Sequence, residues 1–538
     1  MNMPNGFEND ARGERWMGGK LLVAELAAAV LLTVCLSPAV LRGAAEGGTS
    51  CESLASLSLP HTTITLAQSV PAGDFTPPPP SNAPSGHTET PIKDIPGFCR
   101  VAATASPSSD SLIKFEVWLP AANWNGKFQA VGNGGWAGRI SYGGLGAAVQ
   151  HNYATASTDT GHEVANGSFA IGHPEKMLDY GYRAIHEMTV QAKAIIAAYY
   201  GTGPRWSYWN GCSTGGRQGL MEAQRFPRDF NGIAAGAPAA YRTHLQFASM
   251  WVAKATLEDP DSYISPGKYP LIHAAALQAC DALDGVKDGI IDDPTRCHFD
   301  PAVLSCKGSD APDCLTPAQV EAARLIYSGP VNPRTGAQIF PPFEPGSELG
   351  WGVNAGGPLP RDIGLSYFRD VLFKNPQWDF RNLNFDSDVS LADSEDRGVV
   401  NAINPDLGPF QLAGGKLLLY HGWADNQIPP LGTVNYYHDV VATMGGAEQT
   451  GTFARLFMVP GMGHCSGGPG PDVFDKMGVL EQWVEHGVAP EKIIAAHRTK
   501  GAEDMTRPLC PYPEVAKWKG SGGTNDAANF VCVRKERP

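Results

Sequence analysis

The sequence predicts an α/β protein, with a mainly parallel sheet covered by helices on both faces and interrupted by one large insertion. Three observations carry this. Short apolar runs alternate with segments of helical spacing on either side of a central stretch that lacks both periods. A Gly-x-Ser-x-Gly turn, Gly211-Cys212-Ser213-Thr214-Gly215, sits between one such run and a helical segment. The chain has 538 residues, of which 43% are hydrophobic and 18% charged, so it is too long for one ordinary domain and too apolar to be disordered. A net charge of −13 without any basic cluster disfavours a nucleic-acid partner. The 62 glycines show no triplet period, which excludes collagen.

Residues 1–45 read as a signal peptide. Arg12, Arg15 and Lys20 precede an apolar run over 21–36, and small residues follow at 37–39 and 43–45. The competing reading is an uncleaved anchor. The run is short for a span of about 20 residues, and Glu25 would be costly in lipid. The mature chain is expected to be secreted or periplasmic, with no membrane segment after signal removal.

Without Cys35, ten cysteines remain, and an even count in an oxidising compartment reads as five disulfides. The sequence does not fix the pairing. Joining neighbours that close short loops pairs Cys51 with Cys99, Cys280 with Cys297, Cys306 with Cys314 and Cys510 with Cys532. Cys212 and Cys465 are then left for each other.

Residues 46–239 form the first part of the core. Residues 46–110, rich in Pro, Ser and Thr, read as an extended leader pinned by Cys51–Cys99. Over 111–119, Ile113, Phe115, Val117 and Leu119 alternate with Leu112, Lys114, Glu116 and Trp118, the pattern of a half-buried strand. Strands follow at 127–131, ending in the loop Gly132-Asn133-Gly134-Gly135, and at 153–157. Apolar residues recur at helical spacing over 179–200 and stop at Gly201. A strand over 206–210 runs into the Ser213 turn, followed by a helix over 217–226 and a strand over 232–235. Residues 240–414 lose both periods and read as an inserted lid domain. Its aromatic residues (Trp251, Tyr263, Tyr269, Phe340, Phe343, Trp351, Tyr367, Phe368 and Trp378) suit a planar acyl group. Residues 415–538 resume the core with strands at 416–420 and 455–459 and a helix over 473–486.

A tight strand-to-helix turn lifts a serine hydroxyl out of a sheet, and flanking glycines let neighbouring backbones approach. The serine needs a base, and the base an orienting acid. In this architecture the acid and then the base follow in chain order, each after a strand. Asp425 follows the strand at 416–420 through His421-Gly422-Trp423-Ala424, and His464 follows that at 455–459 through Pro460-Gly461-Met462-Gly463. His151, His162, His173 and His186 lack such placement and read as surface or structural. Cys212 precedes Ser213 and Cys465 follows His464. If Ser213 and His464 share a hydrogen bond, these cysteines lie close enough for a disulfide, which needs Cα atoms about 4.4–6.8 Å apart. The oxyanion donors expected are the amides of Thr214 and, from the loop 132–135, Gly135.

Asp281, Asp284, Asp288 and Asp292 lie between Cys280 and Cys297 at spacings of three, four and four. Carboxylates on a glycine-containing loop suit a hard cation, though the spacing departs from an EF-hand and solvated turns are the alternative. No His or free Cys cluster completes a zinc site.

The run Gly211-Cys212-Ser213-Thr214-Gly215-Gly216-Arg217, with Phe226-Pro227 and Gly236-Ala237-Pro238 downstream, resembles the tannase and feruloyl esterase family. So do Pro460-Gly461-Met462-Gly463-His464-Cys465 and Arg507-Pro508-Leu509-Cys510-Pro511-Tyr512-Pro513. The resemblance implies an α/β-hydrolase core with a lid, hydrolysis of esters of aromatic acids, and a Ser213, Asp425, His464 triad bridged by Cys212–Cys465. It also implies Ca²⁺ stabilising the lid, held by the side chains of Asp281, Asp284 and Asp288 and the carbonyls of Val286 and Ile290. The expected substrate is a small feruloyl (hydroxycinnamoyl) ester or one attached to plant polysaccharide. Galloyl esters, as for a tannase, and mono(2-hydroxyethyl) terephthalate are alternatives. A non-catalytic exported binding protein on the same fold is the rival from a different class.

Overall fold

A computed structural model describes residues 48–79 and 87–534, so the signal segment and Cys35 lie outside the described residues. Nine strands make the central sheet: β1 (Thr62–Val70), β2 (Phe98–Ala105), β3 (Ile113–Pro120), β4 (Lys127–Val131), β5 (Ala154–Thr158), β6 (Trp206–Cys212), β7 (Gly232–Gly236), β8 (Lys416–Gly422) and β9 (Ala454–Val459). Their spatial order is β1-β2-β3-β5-β4-β6-β7-β8-β9. β1, β2, β3 and β5 pair antiparallel in turn. From β5 through β4, β6, β7 and β8 to β9, every pairing is parallel.

The helices used below are α1 (Tyr142–Gln150), α2 (Ala184–Tyr200), α3 (Thr214–Arg225), α4 (Arg242–Leu257), α5 (Leu431–Thr443) and α6 (Lys476–His486). Side chains alternate across the sheet, so each strand feeds two cores. Leu417 and Leu419 of β8 join Ile185, Ile195, Leu220 and Val434 from α2, α3 and α5. Leu418 and Tyr420 point the other way, onto Leu480 and Trp483 of α6 and Ala148 of α1. Both faces are therefore covered, as the runs of apolar residues predict for parallel strands. α2 is preceded by a π-helical turn, Asp179–Arg183, and stops where Gly201 takes a left-handed φ of 75°.

The structure departs from two expectations. The leader over 46–110 is not an extension but supplies β1 and β2, the antiparallel edge of the sheet, with Cys51–Cys99 tying the turn before β1 to β2. Strand β3 is not half-buried. Glu116 and Trp118, on its supposed outer face, are 3% and 0% exposed. There Glu116 is paired with Arg100 and accepts from Trp118 Nε1, and Trp118 stacks on Phe98.

The insertion between β7 and β8 is helical. Its aromatic residues build two clusters, one around Phe247, Tyr367, Phe368 and Phe385 that also takes in Trp136, Phe169 and Tyr180 from before the insertion, the other around Tyr269, Phe343 and Trp351. After α6 come two hairpins, Ile493–Thr499 with Ala502–Leu509 and Glu514–Trp518 with Phe530–Arg534. Cys510–Cys532 lies at the second. The five disulfides are those that neighbour pairing predicts. No helix among the described residues is long and apolar enough to cross a membrane.

Candidate active site

Ser213 ends β6 and opens α3 with φ 64° and ψ −122°, a conformation a non-glycine residue holds only when its surroundings fix it. They do: the Ser213 amide donates to the Gly236 carbonyl at 2.9 Å, and its carbonyl accepts from Arg217 and Ala239. The glycines on either side are required by close approach. A Cβ on Gly211 would come within 2.5 Å of the Gly215 carbonyl oxygen, and one on Gly132 within 2.6 Å of the Gly215 Cα. That contact brings the loop after β4 against the start of α3.

Asp425 and His464 stand where strands β8 and β9 end, and the two loops are stitched by Trp423 and Ala424 amides donating to the carbonyls of Val459 and Met462. His464 Nδ1 lies 2.8 Å from Asp425 Oδ2. The Asp425 side chain is fully buried and that of His464 is 12% exposed. Asp425 Oδ1 accepts from the amides of Gln427 and Ile428 at 2.8 and 3.0 Å. Burial alone would raise the Asp425 carboxyl. The charges and hydrogen bonds of His464 and His421 outweigh it and hold the group well below the usual carboxylate range.

His421 was not singled out by sequence. Its Nε2 lies 3.0 Å from Asp425 Oδ2 and 3.1 Å from the Ile428 carbonyl, and both are acceptors, so Nε2 carries the proton. Its Nδ1 faces the Thr433 hydroxyl at 2.7 Å. The signal was present as a histidine four residues before the acid.

Ser213 and His464 line one pocket with Arg242, Leu245, Gln246 and Ser249 of α4, Arg361, Ile363, Gln427 and Ile428. They share no hydrogen bond in this structure; such contacts commonly tighten only with substrate bound. None of the insertion's aromatic residues named above lines this pocket; most pack in the two clusters of the insertion, and Phe340 packs behind the lining residues Leu245 and Ile428. Cys212–Cys465 joins the residues flanking Ser213 and His464, with Cα atoms 6.0 Å apart across a sequence separation of 253.

Thr214 is the first residue of α3, so its amide has no acceptor within the helix. Gly135, at φ 58°, turns its carbonyl to the Thr214 hydroxyl at 2.6 Å and to the Tyr180 hydroxyl, and its amide has no acceptor among the described residues. The Asn133 amide is already committed to Gln218 Oε1.

In the acidic loop, Asp281 accepts from the amides of Asp288 and Gly289, Asp284 from Val286, and Asp288 from Ile290. Asp288 also pairs with Arg507. The carbonyls of Val286 and Ile290 accept nothing among the described residues. Burial raises the carboxyls of Asp284 and Asp288; the charge of Asp288 adds to the rise at Asp284, and that of Asp281 to the rise at Asp288. An all-oxygen donor set with a surplus of carboxylates fits a hard divalent cation. Its carboxylate oxygens are spread, however. Among the described residues the trio whose ligand atoms lie within 4.8 Å of one another is His186, Glu222 and Asp229. That trio has Lys193 for a neighbour, its ammonium donating to the Asp229 carbonyl.

A family model described as tannase and feruloyl esterase matches residues 99–533. An uncharacterized esterase of Xanthomonas campestris is 41% identical over 94% of this chain and 95% of its own. Feruloyl esterase B from Aspergillus oryzae superposes with a TM-score of 0.83 at 32% identity, covering 90% of this chain and 99% of its own. Tannin acyl hydrolase from Aspergillus niger, 24% identical, has the same fold, with a TM-score of 0.73 over 89% of this chain and 93% of its own. With esterases as relatives along nearly its whole length, the chain is a carboxylic ester hydrolase and belongs to the tannase and feruloyl esterase family.

Proposed function

We propose that the protein is an exported serine esterase that cleaves esters of aromatic acids, feruloyl esters foremost, through an acyl-enzyme. One observation carries the reading: His464, hydrogen-bonded to the buried Asp425, lines one pocket with Ser213, and one disulfide staples the nucleophile turn to the base loop. Ser213 Oγ attacks the ester carbonyl and gives its proton to His464 Nε2. The amides of Thr214 and Gly135 receive the developing oxyanion. The alcohol departs with the proton from His464. Water, deprotonated by the same nitrogen, then frees the aromatic acid and returns Ser213. Asp425 holds the imidazole with Nε2 toward Ser213 throughout.

Export is supported by the signal-like first 45 residues and by five disulfides. Natural substrates would then be small hydroxycinnamate esters or those on plant polysaccharide. Ca²⁺ in the loop of Asp281, Asp284 and Asp288, with the carbonyls of Val286 and Ile290, would neutralise that loop and brace the insertion without entering the chemistry. Initial rates on methyl ferulate, methyl caffeate, methyl gallate and mono(2-hydroxyethyl) terephthalate, with Ser213→Ala as control, test the reading. Turnover lost in the variant supports it, and the preferred ester chooses among feruloyl esterase, tannase and terephthalate monoesterase. If folded protein turns over none of the four, the reading fails and a binding protein takes its place.

A further inference from the structure

One buried carboxylate on α3 takes no part in the chemistry above. Glu222 is 1% exposed, and neither of its side-chain oxygens meets a donor among the described residues. Burial, with the charge of Asp229 adding to it, pushes the Glu222 carboxyl well above its ordinary range. A buried carboxylate without a partner is among the least favourable groups a fold can carry. Two other buried glutamates are treated differently. Glu116 is paired with Arg100 and accepts from Trp118 Nε1. Glu348 accepts from the Tyr327 hydroxyl and the Gly346 amide and faces His273 Nδ1 at 2.8 Å.

The Glu222 carboxylate instead meets a histidine and a second acid. One ligand atom each of His186, Glu222 and Asp229 lies within 4.8 Å of the other two. His186 Nδ1 is 2.7 Å from Asp229 Oδ2. The His186 ring lies flat on Phe226, with centroids 3.8 Å and planes 8° apart, which holds it in this orientation. The three residues come from α2, from α3 and from the turn before β7. His186 and Asp229 stand 43 positions apart in the chain, so no spacing motif announces the cluster, and the sequence reading of His186 as surface or structural misses it. The side chains of His186 and Asp229 are 30% and 15% exposed, which leaves a small ion a way in from solvent. Lys193 stands close by. Its ammonium donates to the Asp229 carbonyl and lies over the Phe230 ring, and it forms no ion pair with either carboxylate among the described residues.

We propose that His186, Glu222 and Asp229 bind a divalent first-row metal ion, Zn²⁺ foremost, at a site separate from the acidic loop. One imidazole nitrogen with two carboxylate oxygens suits zinc, at bonds of about 2.0–2.2 Å, whereas hard Ca²⁺ takes oxygen ligands. The fourth position stays open to water. The ion supplies the positive partner that Glu222 lacks and ties α2 to the helix that follows the nucleophile turn. Glu222 lies about two and a half helical turns beyond Ser213, roughly 13 Å, so the ion stands apart from the ester and braces the fold. A proton shared between Glu222 and Asp229 is the competing arrangement. It satisfies one oxygen of Glu222 and leaves the other without a partner.

The test uses tag-free, full-length protein, stripped with chelator, dialysed, and titrated with Zn²⁺ by calorimetry in excess Ca²⁺, so that the acidic loop does not compete. One Zn²⁺ per chain should bind with a micromolar Kd or tighter and raise Tm. Co²⁺ in its place should show the visible absorption of a nitrogen- and oxygen-ligated ion. His186→Ala should abolish the binding and the rise in Tm. Glu222→Gln, of the same shape, should weaken binding by more than the roughly 10- to 100-fold that loss of a ligand's own hydrogen-bond partner costs. No binding by the folded wild type up to millimolar Zn²⁺ overturns the proposal and assigns the shared proton. Binding that both variants retain overturns it as well, since the ion then sits elsewhere. Neither readout involves ester turnover, so the result stands whatever the substrate is. If Glu222→Gln does not fold, His186→Ala, which changes a partly exposed side chain, decides.

Discussion

At Asp425 two imidazoles and two amides converge on one fully buried carboxylate. Its lowered pKa follows from them, and so does its task of fixing the His464 tautomer. Asp425→Asn should therefore reduce kcat by roughly 10⁴-fold, as in other Ser-His-Asp enzymes, while KM changes little. A loss of under tenfold in steady-state assays would mean that another group orients His464. Asp159 makes a second test. It is 4% exposed and accepts amides of Lys114 and Gly161, yet burial pushes its carboxyl up to about 8. A carboxyl raised in the folded state takes up a proton on folding. Its stabilising effect is full below the unfolded value of about 4 and is lost as pH rises through about 8. Asp159→Asn should match the wild type near the acid end of that window and exceed it in Tm at the alkaline end; parallel Tm–pH curves would contradict this. Ser213, Asp425 and His464 were legible because each follows an apolar strand at a fixed place in the topology. Arg242 was not, since its burial without an acceptor at Nε and Nη2 is a product of packing that the sequence does not print.

Among the elements, β6 and the loop after β9 come from opposite sides of the insertion, and Cys212–Cys465 ties them at the site itself. Replacing both cysteines by serine should cost about 2–5 kcal/mol of stability in denaturant melts and also lower kcat. Replacing Cys306 and Cys314, which close a separation of only 8, should cost less and spare kcat. Equal effects from the two pairs would show that the first bridge has no part in positioning. The parallel strands were readable as short apolar runs bounded by turns. β1 and β2 were hidden because Thr62–Val70 carries no clean alternation, and as an edge strand it takes its whole ladder from β2, nearly thirty residues later. α4 was missed for a related reason. It is buried nearly all round, so the apolar stripe that marks a surface helix is absent.

Across the molecule, the insertion is bound to the sheet through the site it covers, with Arg361 meeting Gln427 and Asn354 meeting the Asn426 carbonyl beside Asp425. The acidic loop reaches the C-terminal hairpins through Asp288 and Arg507. If Ca²⁺ neutralises that loop, chelation should lower Tm, added Ca²⁺ should restore it, and Asp284→Asn should blunt both responses. A Tm indifferent to chelator and to Ca²⁺ would assign the loop to solvated turns. The most direct test of the central claim is the intact mass of the protein quenched in acid during turnover of methyl ferulate. A fraction should carry one feruloyl group, mapped by peptide analysis to Ser213, and both Ser213→Ala and His464→Ala should show none. A feruloyl adduct on another residue, or turnover that persists in Ser213→Ala, would contradict a Ser213 acyl-enzyme.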